Sequence, residues 1–113
     1  MDTLFIPNLS TKTRIGVHAW EQQIEQVLLF DIELSLDLSL CNDQLENTLD
    51  YEQLCQMVTH YVESHSFKLI ETVAEQVAAL IKAQFTLIHA LRISVSKPHA
   101  ISNAGPIRVT LQR

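Results

Sequence analysis

Lys97 extends an apolar alternation. It follows Leu91, Ile93 and Val95 at spacings of two, and Pro98 then turns the chain out of the strand. A lysine that inherits an inward-facing place at a strand end is partly desolvated. That favours the neutral amine and suits the group to acid/base work. The plainer reading is that its ammonium snorkels to water from the strand terminus, and on the pattern alone that reading weighs more. Tyr51 and Glu71 each stand at the start of a helical pattern, and Glu21 follows Trp20. Glu71 in a first turn is ordinarily a partner of the helix dipole, worth ~0.3–1 kcal/mol. Tyr51 is ordinarily the first residue of a buried stripe, and Glu21 a solvated acid beside an apolar anchor. Taken singly, each of these residues has a purely structural account.

Other chemistries find less support. The five histidines are His18, His60, His65, His89 and His99. No two have the i, i+4 spacing of a His-Glu-x-x-His helix, and none has a His-x-His or cysteine partner, so no metal site is expected. Cys41 and Cys55 form no Cys-x-x-Cys, and free thiols are expected; Cys55 falls on an apolar helix stripe and is most simply core. Gly16 and Gly105 are too far apart for a glycine-rich phosphate loop. No serine sits in a Gly-x-Ser-x-Gly elbow. No cofactor is expected.

The elements that would position these residues are legible from periodicity. Phe30 to Ser39 alternates strictly, with Phe30, Ile32, Leu34, Leu36 and Leu38 on one face and acids and serines on the other. A second alternation runs through Leu91 to Lys97 and a shorter one through Ile107, Val109 and Leu111. Thr3 to Leu9 reads as the first strand, where Pro7 implies an edge or a bulge. Between the strand pairs, Tyr51, Leu54, Cys55, Val58, Tyr61 and Val62 have helical spacing, as do Ile70, Val73, Ala74, Val77, Leu80 and Ile81. Asp50 is the expected N-cap of the first helix. The order ββααββ predicts an α+β fold, with two helices on one face of a four-stranded antiparallel sheet. Such a sheet keeps a wet second face and two unblunted edges, which favours joining of identical subunits.

Composition narrows the classes. With 113 residues, 47% hydrophobic and 19% charged, residues 1–113 are expected to form a single globular domain. Thirteen acids against eight bases leave a net charge of −5, which opposes binding to phosphate backbones, so no nucleic-acid partner is expected. No apolar run could span a bilayer, and the first residues do not read as a signal peptide. A cytoplasmic protein without membrane contact is the expectation.

Four segments together resemble a known family. Gly16-Val17-His18-Ala19-Trp20-Glu21, Leu49-Asp50-Tyr51, Leu69-Ile70-Glu71-Thr72-Val73-Ala74-Glu75 and Ser96-Lys97-Pro98-His99-Ala100 look like dihydroneopterin aldolase of folate biosynthesis. They stand in the family's order and spacing along essentially the whole chain. The resemblance implies the tunnelling fold, in which sheets join edge to edge into a ring. Two tetrameric rings stack as an octamer, with active sites between subunits. It implies a small-molecule pterin substrate, 7,8-dihydroneopterin, whose side chain is cleaved by a retro-aldol reaction with neither a metal nor a Schiff base. By similarity Lys97 is the acid/base group, and Tyr51 of a neighbouring subunit shuttles a proton. Glu71 anchors the pterin with help from the Ile70 or Glu71 N–H. Glu21 orients substrate hydroxyls or water, and Val17, His18, Leu49 and Leu69 line the pocket.

Arg14 and Lys68 occupy positions at which the family varies, and they bear on substrate preference. The nearest alternative is the sister enzyme that epimerises dihydroneopterin triphosphate at the 2′ carbon. The Trp20-Glu21 and Ser96-Lys97-Pro98 forms look more like the aldolase, and eight Lys and Arg in all are few for a triphosphate. Some aldolases of the family also epimerise. A catalytically idle ring that binds a pterin is the alternative of another class.

Overall fold

A computed structural model describes all 113 residues, Met1–Arg113. Five strands form one sheet in the order β3-β1-β2-β4-β5, with the two helices α1 and α2 against it. The strands are β1 (Asp2–Ile15), β2 (Gln26–Leu36), β3 (Ser66–Phe67), β4 (Ala90–Lys97) and β5 (Ile107–Gln112). The helices are α1 (Tyr51–Glu63) and α2 (Ile70–Gln84). The four long strands pair antiparallel, as the alternation requires.

Alternation becomes burial most cleanly in β2. Leu28, Phe30, Ile32, Leu34 and Leu36 are all shut from water, while the residues between them are half-buried. The strand starts earlier than its alternation suggests because Val27, Leu28 and Leu29 form an apolar run without period. It stops at Leu36 because the Asp37 carboxylate takes the Ser39 N–H at 2.9 Å and its hydroxyl at 2.6 Å, closing a turn. β1 is also longer than Thr3 to Leu9. Its pairing with β2 slips between Ile6 and Leu9, where Asn8 has φ 52° and its N–H donates to Asp31 at 2.9 Å. Pro7 thus sits at a bulge, after which the strand continues to Ile15.

The helices bury one stripe each: Leu54, Val58 and Val62 in α1, and Val73, Ala74, Val77, Ala78 and Ile81 in α2. With the inner faces of the strands these form one core of 21 buried residues. Asp50 caps α1, its carboxylate accepting the Gln53 N–H at 3.1 Å. β3 adds a strand to the expected four, pairing parallel to the end of β1 through Arg14↔Ser66 and Ile15↔Phe67. Two residues carry no period to detect, but they matter for position. They tie the entrance of α2 to the exit of β1, and the Gly16 N–H extends the tie to the Phe67 carbonyl at 3.1 Å. The outer edge of β1 from Asp2 to Thr13 and all of β5 remain edges.

Candidate active site

Where β1 ends, the chain makes a short 3-10 turn, Ala19–Gln23, before entering β2. Gly16 opens it at φ +138°, a conformation open to glycine and strained for other residues. A Cβ at that position would fall on the carboxyl group of Glu21. The glycine therefore permits both the turn and the close approach of the acid. Gln22 pins the turn by donating to the carbonyls of Gly16 at 2.8 Å and Phe67 at 2.9 Å.

Folded inward by this turn, Glu21 is 5% exposed. Lys97, at the last position of β4, meets it with Nζ 2.7 Å from Oε2. Gln26 Nε2 donates to the same oxygen at 3.2 Å, and the His18 N–H donates to Oε1 at 3.3 Å. The Lys97 ammonium, with the Gln26 amide and the His18 N–H, holds the Glu21 carboxyl at about 2, well below its ordinary 4.5, although burial pushes it upward. The pair is a charged couple set into the wall of a cavity rather than a surface salt bridge.

That cavity has a volume of about 470 Å³. Its lining includes Val17, His18, Glu21, Leu69, Ile70, Glu71 and Lys97. Seven of the nine residues singled out from the sequence thus share one cavity, and the ammonium of Lys97 and the carboxyl of Glu71 face the same space. Glu71 lies exposed in the first turn of α2. The N-cap of that helix, Leu69, has no side chain that could cap it, so the first N–H groups have no side-chain acceptor beside this lining. Trp20, His99 and Ile101 complete part of the rim. No three His, Cys, Asp or Glu side chains converge as a metal-holding group.

Two expected residues lie elsewhere. Tyr51 is exposed at the start of α1, and Leu49 is buried beside it, lining a separate groove with Asp50 and Gln53. The far end of α1 is the one near the cavity's strands, because Glu63 accepts the Lys12 N–H at 3.0 Å. Thirteen residues of helix, roughly 20 Å, therefore separate Tyr51 from that end. Within one chain Tyr51 does not reach Lys97. Gln22 and Gln26 were not singled out from the sequence, since a glutamine beside a strand start ordinarily faces water, and only the folded turn shows what its amide meets.

The dihydroneopterin aldolase family model matches residues 4–112. A dihydroneopterin aldolase of Escherichia coli (strain K12) is 42% identical over 115 residues, covering 100% of this chain and 93% of that protein. One of Haemophilus influenzae is 40% identical, covering 100% of this chain and 97% of that protein. Among solved structures, E. coli dihydroneopterin aldolase in complex with neopterin matches with a TM-score of 0.96 at 42% identity, over 100% of this chain and 99% of that one. A Burkholderia dihydroneopterin aldolase bound to guanine matches with a TM-score of 0.82 at 25% identity, over 99% and 89% of the two chains.

Proposed function

The chain belongs to the dihydroneopterin aldolase family, and on that premise we propose how its cavity works. It binds 7,8-dihydroneopterin and cleaves the trihydroxypropyl side chain to give 6-hydroxymethyl-7,8-dihydropterin and glycolaldehyde, a step of tetrahydrofolate biosynthesis. The observation that carries this reading is that the Lys97–Glu21 pair and the Glu71 carboxylate line one cavity. The neopterin and guanine complexes of the relatives support a planar heterocycle as ligand.

Cleavage between C1′ and C2′ begins with loss of the 2′-hydroxyl proton. The 2′ carbon becomes the carbonyl of glycolaldehyde, and the bonding pair passes through C1′ into the N5=C6 imine, leaving an enamine. A proton delivered to C1′ completes the hydroxymethyl product, so the proton lost at oxygen is balanced by the one gained at carbon. The heterocycle itself takes up the electron pair, and the reaction requires neither a lysine Schiff base nor a metal ion.

Lys97 is the acid/base group through which the hydroxyl proton passes. Glu21 holds its nitrogen at the reacting edge and orients the substrate hydroxyls or water. Glu71 anchors the pterin by accepting two roughly parallel N–H bonds from the 2-amino group and N3. The first N–H groups of α2, at Ile70 and Glu71, serve the 4-oxo group, as oxygen ligands are served at other helix N-termini. Val17, His18 and Leu69 bound the ring, and Leu49, which lies beside Tyr51 in a separate groove, would reach it only from a neighbouring subunit. Tyr51 delivers the proton to C1′ from a neighbouring subunit. Its distance from Lys97 within one chain supports that assignment, and the open edges at β1 and β5 support closure into rings that stack as an octamer. We assign the enzyme to the cytoplasm, in keeping with its two free thiols and with no helix long and apolar enough to cross a membrane.

The test is to incubate the pure protein with 7,8-dihydroneopterin, and separately with its triphosphate, and to separate the products chromatographically. Release of glycolaldehyde with 6-hydroxymethyl-7,8-dihydropterin is expected. Pterin binding without glycolaldehyde would leave a binding ring, and inversion at C2′ of the triphosphate alone would leave an epimerase.

A further inference from the structure

Gln26 is the first residue of β2, paired with Thr13 of β1, so the sheet fixes its backbone. Its side chain turns toward the end of β1. There Nε2 donates to the Ile15 carbonyl at 2.8 Å and to Glu21 Oε2 at 3.2 Å. Both partners are acceptors only, which dictates that the amide presents its NH₂ and uses both of its hydrogens. The oxygen it contacts is the one that Lys97 Nζ contacts at 2.7 Å. Gln26 is thus the only side chain besides Lys97 that donates to Glu21, the remaining contact being the backbone N–H of His18.

We infer that Gln26 is a positioning residue for the reaction: its amide ties the Glu21 carboxylate to the last carbonyl of β1 and so fixes the Lys97 nitrogen at the reacting edge. The inference deepens the aldolase reading and rests on it. Without the amide, Oε2 keeps one partner instead of two, and the buried carboxylate can rotate about its terminal torsion, carrying the ammonium with it. A displacement of an acid/base group by a fraction of an ångström is costly because proton transfer needs near hydrogen-bond geometry. The Gln26 bond also favours the charged carboxylate. The other titratable groups lining the same cavity are His18 after β1, Lys68 and Glu71 at the start of α2, and Lys97 and His99 at the end of β4.

The experiment compares the parent with Gln26→Leu, which loses both donors, and Gln26→Glu, which keeps the length but offers acceptors only. Two quantities are read: steady-state kinetics with 7,8-dihydroneopterin, and the titration of the Glu21 side-chain carboxyl by carbon NMR. In Gln26→Leu, kcat is expected to fall about tenfold or more with KM changed less than about threefold. The Glu21 titration is expected to move upward by about one pH unit. A fall in kcat with the Glu21 titration unmoved would reduce Gln26 to general packing and overturn the inference, as would unchanged kcat. Should Gln26→Leu not fold, Gln26→Glu decides by the same two readouts, since a second carboxyl beside Glu21 must raise its titration if the two groups touch. Should the folded parent release no glycolaldehyde, the aldolase reading fails separately. The Glu21 titration then still supports the tie if it moves and overturns it if it does not.

Discussion

Glu21 is buried and charged at once, and that combination has a pH signature. Its carboxyl is held at about 2, below the ordinary 4.5, so the charged form favours the folded state. A carboxylate with a lowered folded value adds stability that is complete above its unfolded value, near 4.5, and is lost as pH falls toward about 2. Thermal melts from pH 7 to pH 2 should therefore fall steeply below about pH 4.5, and Glu21→Gln should flatten that limb. An equally steep limb in the variant would show that Glu21 is not the titrating group. Glu71 is the contrasting acid: it is exposed and has no hydrogen-bonded partner, so its side chain is free for a ligand. Glu71→Ala should weaken neopterin binding by about 1.5–3 kcal/mol in calorimetry while leaving the melt nearly unchanged. Strand parity placed Lys97 on the inward face but on the pattern alone favoured a snorkelling lysine, and only the resemblance named it as the acid/base group. From its own surroundings Glu21 read as a solvated acid after Trp20, and its site role came from the resemblance, since its burial depends on the positive φ of Gly16, which no periodicity reports. Gln26 was not legible, because its partners are a backbone carbonyl and a side chain brought together by the turn.

The two helices begin differently, and the difference separates stability from binding. α1 starts under the Asp50 carboxylate, a cap written in the sequence, whereas α2 starts at Leu69 with no side-chain cap. Asp50→Ala should cost about 0.5–2 kcal/mol of stability, read as a lower melting temperature. Leu69→Ser supplies a hydroxyl that can accept one of the first-turn N–H groups of α2. It should preserve or raise the melting temperature while weakening neopterin, because the new cap competes with the 4-oxo group for the same donor. Unchanged affinity in Leu69→Ser would mean that the start of α2 does not hold the ligand. At this scale the strands and helices were legible wherever one face is apolar and the other polar. β3 and the far half of β1 were not: one is two residues long, and in the other Thr11 and Thr13 are buried polar residues on the inner face, which breaks the apolar alternation.

A single subunit holds an incomplete site if Tyr51 takes part, since roughly 20 Å of α1 stand between that phenol and the end of the molecule where Lys97 lies. Val17, Trp20, Leu69 and Ile101 are exposed apolar residues along the cavity. In the proposed ring a heterologous contact would repeat one pairing, so each site would draw Lys97 from one chain and Tyr51 from the next. Two inactive variants then complement each other. Lys97→Ala and Tyr51→Phe, each purified with little glycolaldehyde release, are unfolded together in equal amounts and refolded. A site is intact when the chain giving Lys97 is the Tyr51 variant and its neighbour is the Lys97 variant. Random assembly yields that pairing at about a quarter of sites, so about a quarter of the parent rate should return. Refolding each variant alone should return nothing, and the double variant mixed with either should also stay inactive. If the mixed rings form, as mass spectrometry of the assembly would show, and still release no glycolaldehyde, the two residues do not meet across an interface and Tyr51 is not the proton donor to C1′.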